Sequence, residues 1–263
     1  MKIIGQRPII RELNFLLEEI KSGANFNILL RAPSGYGKTT VAFYCAQKLG
    51  IKNSAYYIAE SEQIKLNGEK RFQIIDEIHT IKEPEFLYSF LDSKKFTFFL
   101  LSNESGNLKE PLMNRCIQFI FHPYSQEEIN LMVKTRLNIF NFPENFIEII
   151  GERCKGNPRI VKITCERLSY VFKHYLVPKD TEEINKILTE ILNIKEGGLT
   201  KLDETYLNYL KNVGGRASIN SISYGTGLSK TEILREIEPG LLYKKIINIS
   251  SKGRELNDEM VSQ

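Results

Sequence analysis

The sequence predicts an α/β fold: a parallel sheet bearing a phosphate-binding loop, then a purely helical region, then a C-terminal winged helix. Three stretches carry that prediction. The apolar run Ile28-Leu29-Leu30 reads as a buried strand, breaks into a Pro/Gly-rich loop, and restarts as a helix at Thr39-Thr40-Val41-Ala42. Phe72-Gln73-Ile74-Ile75-Asp76-Glu77 is a second buried strand, and it ends in two carboxylates. Near the end of the chain, three helices precede an alternating stretch from Ile246 to Ser250. A turn at Ser251-Lys252-Gly253 and a return through Arg254-Glu255-Leu256 complete the winged-helix pattern.

A chain of 263 residues suits two domains, or one large domain with appendages. Its 42% hydrophobic and 26% charged residues are those of a soluble globular protein. The start, Met-Lys-Ile-Ile-Gly-Gln-Arg-Pro, has neither an apolar signal region nor a cleavage site, and no apolar run is long enough to span a bilayer. A cytoplasmic protein without membrane association is expected. Cys45, Cys116, Cys154 and Cys165 lack the paired spacing of a zinc site and read as reduced, partly buried thiols. A net charge of +4 permits a nucleic-acid partner without arguing strongly for one.

Taken in order, residues 7 to 22 place Ile9, Ile10, Leu13, Leu16, Leu17 and Ile20 at helical spacing, so an amphipathic helix is expected. The short apolar stretch before it, with Ile4 at its centre, either covers an adenine ring or packs the N-terminus. The loop that follows Leu30 fits G-x-x-x-x-G-K-[ST], with Ala32 where the first glycine usually stands. In such a loop, glycines (Gly35 and Gly37) free backbone N–H groups to wrap a phosphate at a helix N-terminus, where the helix dipole favours anions. Lys38 then reaches the β- and γ-phosphates and the Thr39 hydroxyl holds Mg²⁺, with Thr40 beside it. Alanine resists a positive φ, so slight strain is expected at Ala32. The helix runs to Leu49, Gly50 closes it, and Ala55 to Ile58 form the next strand.

At the end of the Phe72 strand, Asp76 is expected to anchor Mg²⁺ through water. Glu77 takes a proton from the attacking water, or orients it. Both carboxylates together argue for hydrolysis rather than binding alone. Phe96 to Asn103 is another buried strand, whose polar end puts Asn103 near the γ-phosphate or the attacking water. Arg115, just before the strand Ile117 to Phe121, either reaches a neighbouring subunit's nucleotide as an arginine finger or makes a surface salt bridge. From Pro123 onward only helices are expected. Ser125 caps the first, with Ile129, Leu131, Met132 and Leu137 as its apolar stripe; Pro143 begins the second; Pro158 begins the third, with Ile160, Ile163 and Leu168 inward; the fourth runs from Glu182 to about Leu192. Arg159, in the third helix's first turn, either points back at the phosphates or is a solvated charge. Gly197-Gly198 reads as a linker. On the wing, Lys252 and Arg254 are the expected DNA-phosphate contacts, although this region is nearly balanced in charge, and a protein-binding or structural winged helix competes.

In this order the motifs resemble those of AAA+ ATPases and, among them, the RuvB family of Holliday-junction branch-migration motors. The likeness rests on Ile-Ile-Gly-Gln near the start, Ala-Pro-Ser-Gly-Tyr-Gly-Lys-Thr-Thr, Ile-Asp-Glu-Ile-His at residues 75 to 79, Leu87-Tyr88, Pro111-Leu112 and Gly156-Asn157-Pro158-Arg159-Ile160. Gly214-Gly215, Ile237-Glu238-Pro239 and Lys252-Gly253-Arg254 extend it to the tail, which weighs most because many AAA+ proteins share the earlier motifs. The resemblance implies an AAA+ core at 1–122, a helical lid at 123–197 and a winged helix at 198–263. It implies ATP and Mg²⁺ as cofactors, Asn103 (or Ser102) as sensor 1, Arg115 as arginine finger and Arg159 as sensor 2. It also implies a homo-oligomeric ring or partial ring on junction, forked or duplex DNA. Two departures bear on function. Only Ser89 to Lys95 fill the space where the family inserts its RuvA-docking hairpin, and Ile249 falls where the family's wing has an arginine. The resemblance therefore implies an ATP-driven DNA motor independent of RuvA, with some other protein partner left open. Asn114-Arg115-Cys116 is close to the Ser-Arg-Cys motif of clamp loaders, so a partner-dependent ATPase switch is the first rival, and a nucleotide-stabilised assembly scaffold the second.

Overall fold

Apolar runs with no polar face must be covered on both sides, and here three of them become the inner strands of a parallel sheet. The computed structural model describes residues 3–59, 64–103, 108–175 and 177–257. The chain divides into two compact units, Met1–His122 and Pro123–Gln263.

The first unit opens with α1 (Arg7–Lys21), which buries Ile9, Leu13, Leu17 and Ile20, one per turn, and leaves Ile10 and Leu16 half-buried. Then come β1 (Asn27–Arg31), α2 (Lys38–Leu49), β2 (Ser54–Ile58), β3 (Phe72–Asp76), α3 (Glu85–Ser93), β4 (Thr97–Ser102), α4 (Glu110–Met113) and β5 (Ile117–Ile120). The five strands pair in parallel in the order β2-β3-β4-β1-β5, and every residue of β3 and β4 is buried. This order decides the site. Since β4 lies between β1 and β3, whatever follows β4 stands between the loop after β1 and the carboxylates ending β3. One face of the sheet packs Leu29, Ile75, Phe98 and Leu100 against Ile78, Leu87, Leu91 and Leu112. Gln6, with φ 52°, pins the N-terminal segment to the unit's last residue. Its amide donates to the His122 carbonyl (2.6 Å) and accepts from the His122 N–H (3.1 Å). Between α3 and β4 lie only residues 94–96, turned by Lys94 at φ 52°.

The second unit contains α5 (Gln126–Arg136), α6 (Glu144–Glu152), α7 (Pro158–His174) and α8 (Thr181–Lys186), the last continuing as a wider turn over Ile187–Ile191. Ser125 and Glu128 cap α5 reciprocally. Two expected stripes need correcting. On α5 the buried residues are Ile129 and Val133, one turn apart, while Leu131, on the opposite face, is exposed. On α7, Val161, Thr164, Cys165 and Leu168 face inward and Ile163 is 49% exposed, because the inward face is set by the 161-165-168 spacing.

After α7 and α8 follow α9 (Lys201–Asn212), β6 (Arg216–Ala217), α10 (Ile219–Thr226), α11 (Lys230–Glu232), a wide turn over Ile233–Ile237, α12 (Glu238–Tyr243), β7 (Ile247–Ser250) and β8 (Gly253–Leu256). The strands form an antiparallel sheet in the order β6-β8-β7, and Tyr206, Leu210, Ile222, Ile233, Leu241 and Ile247 fill the core above it.

Gly197-Gly198 is not the loose linker its composition suggests. Both residues have positive φ (67° and 79°), and a Cβ on Gly198 would run into the Arg153 carbonyl, so glycine permits a close backbone approach. Across this turn the helical part and the winged helix are joined. The Lys155 ammonium, in the turn between α6 and α7, pairs with the Asp203 carboxylate in α9 at 2.5 Å, with both side chains almost wholly buried. The Tyr243 hydroxyl of α12 donates to the Tyr124 carbonyl before α5 (3.1 Å). Gly156 leaves room for the Tyr243 ring, and Gly240 for the Lys155 stem.

Candidate nucleotide-binding and catalytic site

The loop between β1 and α2 turns on two glycines with left-handed backbone, Gly35 (φ 86°) and Gly37 (φ 88°), the latter immediately preceding α2. Only a residue without a Cβ adopts this freely, and it turns successive N–H groups toward the mouth of the loop. Ala32 does not take a positive φ. Buried, with its N–H donated to the Ser102 carbonyl (3.2 Å), it still belongs to the sheet ladder, so the strain expected there is absent. Lys38, 6% exposed, extends back along the loop, donating to the carbonyls of Ala32 (2.7 Å) and Pro33 (3.2 Å) and to Asn103 Oδ1 (3.2 Å).

The Thr39 hydroxyl donates to Asp76 Oδ2 at 2.9 Å. A hydroxyl and a buried carboxylate side by side at a helix N-terminus form the hard oxygen donor set that suits Mg²⁺, and the glycine loop suits a polyphosphate. Asp76 also accepts from the Tyr56 hydroxyl (2.8 Å) and, through Oδ1, from the Glu77 N–H (2.9 Å). Burial, then the Asp76 hydrogen bond and charge, push the Tyr56 hydroxyl pKa up, so Tyr56 stays a donor. Glu77 has left-handed backbone (φ 55°), which turns its side chain off the line of β3. Its Oε2 accepts from Asn103 Nδ2 (3.3 Å) and lies 3.3 Å from His79 Nε2.

Lys38, Thr39, Asp76, Glu77 and Asn103 are thus one connected cluster at the carboxyl edge of the sheet. Thr40 is exposed in the first turn of α2, and Ile4 is half-buried in the segment pinned by Gln6. Arg115 stands elsewhere. Its carbonyl accepts from the side chain of Asn27, the first residue of β1 (3.0 Å), so it lies at the amino edge of the sheet. That is about 16 Å from the loop for a five-residue strand. Its guanidinium pairs with Asp92 (3.0 Å), donates to the Pro111 carbonyl (2.8 Å) and lies over the Tyr88 ring. Arg159 belongs to the second unit, exposed in the first turn of α7, where Asn157 Oδ1 accepts its N–H (2.9 Å).

Sequence reasoning overlooked Tyr56, Gln6 and His79. Only the pairing of β2 with β3 brings Tyr56 to Asp76, and only the chain's return at His122 gives Gln6 its partner. His79 did carry a signal, as the last residue of the quoted Ile-Asp-Glu-Ile-His motif.

The wing requires a correction. Lys252 is exposed at the turn between β7 and β8, as a phosphate contact must be. Arg254 instead folds inward onto Glu238, Nε to Oε1 at 2.7 Å and Nη2 to Oε2 at 3.3 Å, and Glu238 is 2% exposed. A carboxylate so deeply buried needs a partner, and Arg254 with the Tyr206 hydroxyl (3.1 Å) supplies it. Arg254→Ala is therefore expected to lower the melting temperature. Lys252→Ala should leave melting unchanged and reduce the slope of DNA affinity against log salt by about 1. Melting curves and salt titrations of the two variants check this pair.

Among the described residues, no helix is long and apolar enough to cross a membrane, and no cluster of three or more His, Cys, Asp or Glu side chains could hold a metal ion. The four thiols are free, and burial pushes those of Cys45, Cys116 and Cys165 up to about 12, which keeps them neutral and unreactive.

A phosphate loop after β1, paired carboxylates ending β3 and a polar residue ending the strand between them define an ATPase of the AAA+ class. Residues 196–262 match the RuvB C-terminal winged helix domain. The Holliday junction branch migration complex subunit RuvB of Wolbachia sp. subsp. Brugia malayi is 27% identical, the alignment covering 97% of this chain and 89% of that protein. The protein of the same name from Lactobacillus johnsonii is also 27% identical, over 99% of this chain and 87% of its own length. The structure of the Thermotoga maritima RuvB Holliday junction branch migration motor superposes with a TM-score of 0.83 at 24% identity, covering 98% and 94% of the two chains. Domain III of the Thermotoga maritima replication initiation protein DnaA shares the fold more distantly, with a TM-score of 0.55 at 15% identity over 72% of this chain and 94% of that one. The chain is a RuvB-like AAA+ ATPase.

Proposed function

We propose that this chain hydrolyses ATP to drive branch migration or strand separation on junction, forked or duplex DNA, as a homo-oligomer in the cytoplasm and without RuvA. The observation that carries the reading is the union, in one chain, of the Lys38-Thr39-Asp76-Glu77-Asn103 cluster with a RuvB-type winged helix. Lys38 and the N–H groups of the glycine loop would hold the phosphates, Thr39 directly and Asp76 through water would hold Mg²⁺, and Asn103 would hydrogen-bond the γ-phosphate or the attacking water. Bound Mg²⁺ supplies neutralisation of phosphate charge. Glu77 accepts the proton of the attacking water. Arg159 is the proposed sensor 2, and Ile4 is proposed to cover the base. The three-residue connection at 94–96 leaves no length for a docking hairpin, which supports independence from RuvA.

Arg115 completes a site in trans. It stands at the amino edge of the sheet, a strand's length from its own loop, which supports a role at a neighbour's nucleotide rather than its own. Mixing Arg115→Ala with Lys38→Ala subunits is therefore expected to restore part of the hydrolysis that each lacks alone, at those interfaces that join an intact loop to an intact arginine. Hetero-oligomers of verified composition that stay inactive would exclude the trans role.

The deciding measurement is steady-state ATP hydrolysis with and without four-way-junction DNA, then with RuvA added. Severalfold stimulation by DNA alone, unchanged by RuvA, is the expected result. Hydrolysis indifferent to DNA and awakened only by a protein partner would overturn the motor in favour of a partner-dependent switch.

A further inference from the structure

We infer that His79 is a positioning residue for Glu77, fixing which carboxylate oxygen faces the attacking water. The inference rests on the reading of Glu77 as the base for ATP hydrolysis, and it assigns a role to the polar residue of the Ile-Asp-Glu-Ile-His motif which that reading leaves idle.

The argument starts at Lys38. Its ammonium can only donate, so the Asn103 side-chain atom 3.2 Å away is the amide oxygen, and Asn103 Nδ2 is thereby turned toward Glu77 Oε2 at 3.3 Å. The backbone N–H of Asn103 points at His79 Nδ1 (3.5 Å). A backbone amide is also only a donor, so Nδ1 accepts and the ring proton of neutral His79 sits on Nε2. Nε2 lies 3.3 Å from Glu77 Oε2 and 3.4 Å from Asn103 Nδ2. Two donors cannot bond each other, so both Nε2–H and Nδ2–H₂ converge on Oε2. His79 is itself held. It sits in the short turn Ile78–Thr80, whose last N–H and hydroxyl both return to the Glu77 carbonyl (2.9 Å each), and its side chain is only 11% exposed.

The carboxylate is thus differentiated. Oε2 is occupied by two donors, and Oε1 is the oxygen presented to water. A single donor would leave Glu77 freer to swing about its χ angles, and the Glu77 side chain makes no capping hydrogen bond to the turn that follows it. With His79 in place the base is held ready before water arrives, which is the condition under which a fixed acid or base is effective.

The test uses full-length protein at saturating DNA, with kcat and KM for ATP measured in His79→Leu and His79→Gln, and again in each combined with Glu77→Gln. Leucine fills the space without a donor, whereas glutamine can carry an N–H to the position of Nε2. His79→Leu is expected to lose about tenfold or more in kcat with KM and the binding of a fluorescent ATP analogue unchanged. His79→Gln is expected to recover most of the loss. On the Glu77→Gln background, His79→Leu should cost nothing further, because His79 acts through Glu77. Unchanged kcat in His79→Leu, equal losses in Leu and Gln, or a further loss on the Glu77→Gln background would each overturn the role of His79 while leaving that of Glu77 intact. Wild-type hydrolysis by Glu77→Gln alone would overturn the reading of Glu77, and this inference with it.

Discussion

Glu77→Gln is expected to bind ATP as the native chain does and to hydrolyse it roughly 10²- to 10⁴-fold more slowly. The substitution keeps the size and hydrogen-bonding reach of the side chain and removes only its capacity to take a proton. Lys38, Thr39 and Asp76, which carry the phosphates and the cation, do not depend on Glu77 for position. Their contacts are with the loop carbonyls, Asn103, Tyr56, one another and the Glu77 backbone N–H, which the substitution retains. Binding and turnover should therefore separate cleanly. A fluorescent ATP analogue reads the first, and released phosphate reads the second. Retained turnover would overturn the reading of Glu77 as the base, whereas retained function without turnover would favour an assembly scaffold in which nucleotide only stabilises the oligomer.

The second large effect concerns stability. Asp203→Ala is expected to destabilise the second unit by about 3–5 kcal/mol, because it strands a buried ammonium rather than merely deleting an attraction. Lys155 is 4% exposed at its side chain and Asp203 is 1% exposed. The same carboxylate oxygen accepts the N–H and the hydroxyl of Thr200 (2.7 Å each), so the α9 cap goes with it. For a unit of this size the loss corresponds to a fall in melting temperature of roughly 10 °C. Combining Lys155→Met with Asp203→Asn leaves no unpaired charge and retains a capping acceptor, and most of the stability should return. Differential scanning calorimetry of the single and double variants measures both. A double variant as unstable as the single one would mean that the geometry, not the stranded charge, carries the cost.

How far the sequence reached depends on the range of the forces involved. The phosphate loop was legible because glycine, lysine and threonine at fixed spacing determine their own geometry. The inner strands were legible because an unbroken run such as Thr97 to Leu101 has no stable place outside a sheet interior. The capped start of α5 at Ser125 and the hairpin after Ile246 are likewise local. What was not legible depends on partners distant in the chain. That β4 lies between β1 and β3 is a fact of pairing, and with it come the contacts of Asn103 to both Lys38 and Glu77. Arg254 read as a wing cation because its partner Glu238 lies 16 residues earlier, on another element. Ile163 and Leu131 read as inward from their apolar character, whereas the helix faces are set by their neighbours. Gly198 reads as part of a linker because its reason for being glycine, the Arg153 carbonyl, is more than forty residues away.

The position of Arg115 at the amino edge of its own sheet has a consequence in counting. If each site takes its loop from one subunit and its arginine from the next, no subunit owns a whole site. An open arc then holds one complete site fewer than it has members, and only closure makes the two numbers equal. A lone chain has a loop without an arginine and an arginine without a loop. Fuel consumption would then report on assembly itself: dilution silences the enzyme with every residue intact. The first subunit contributes no site, each later one contributes one, and the subunit that closes the ring contributes two.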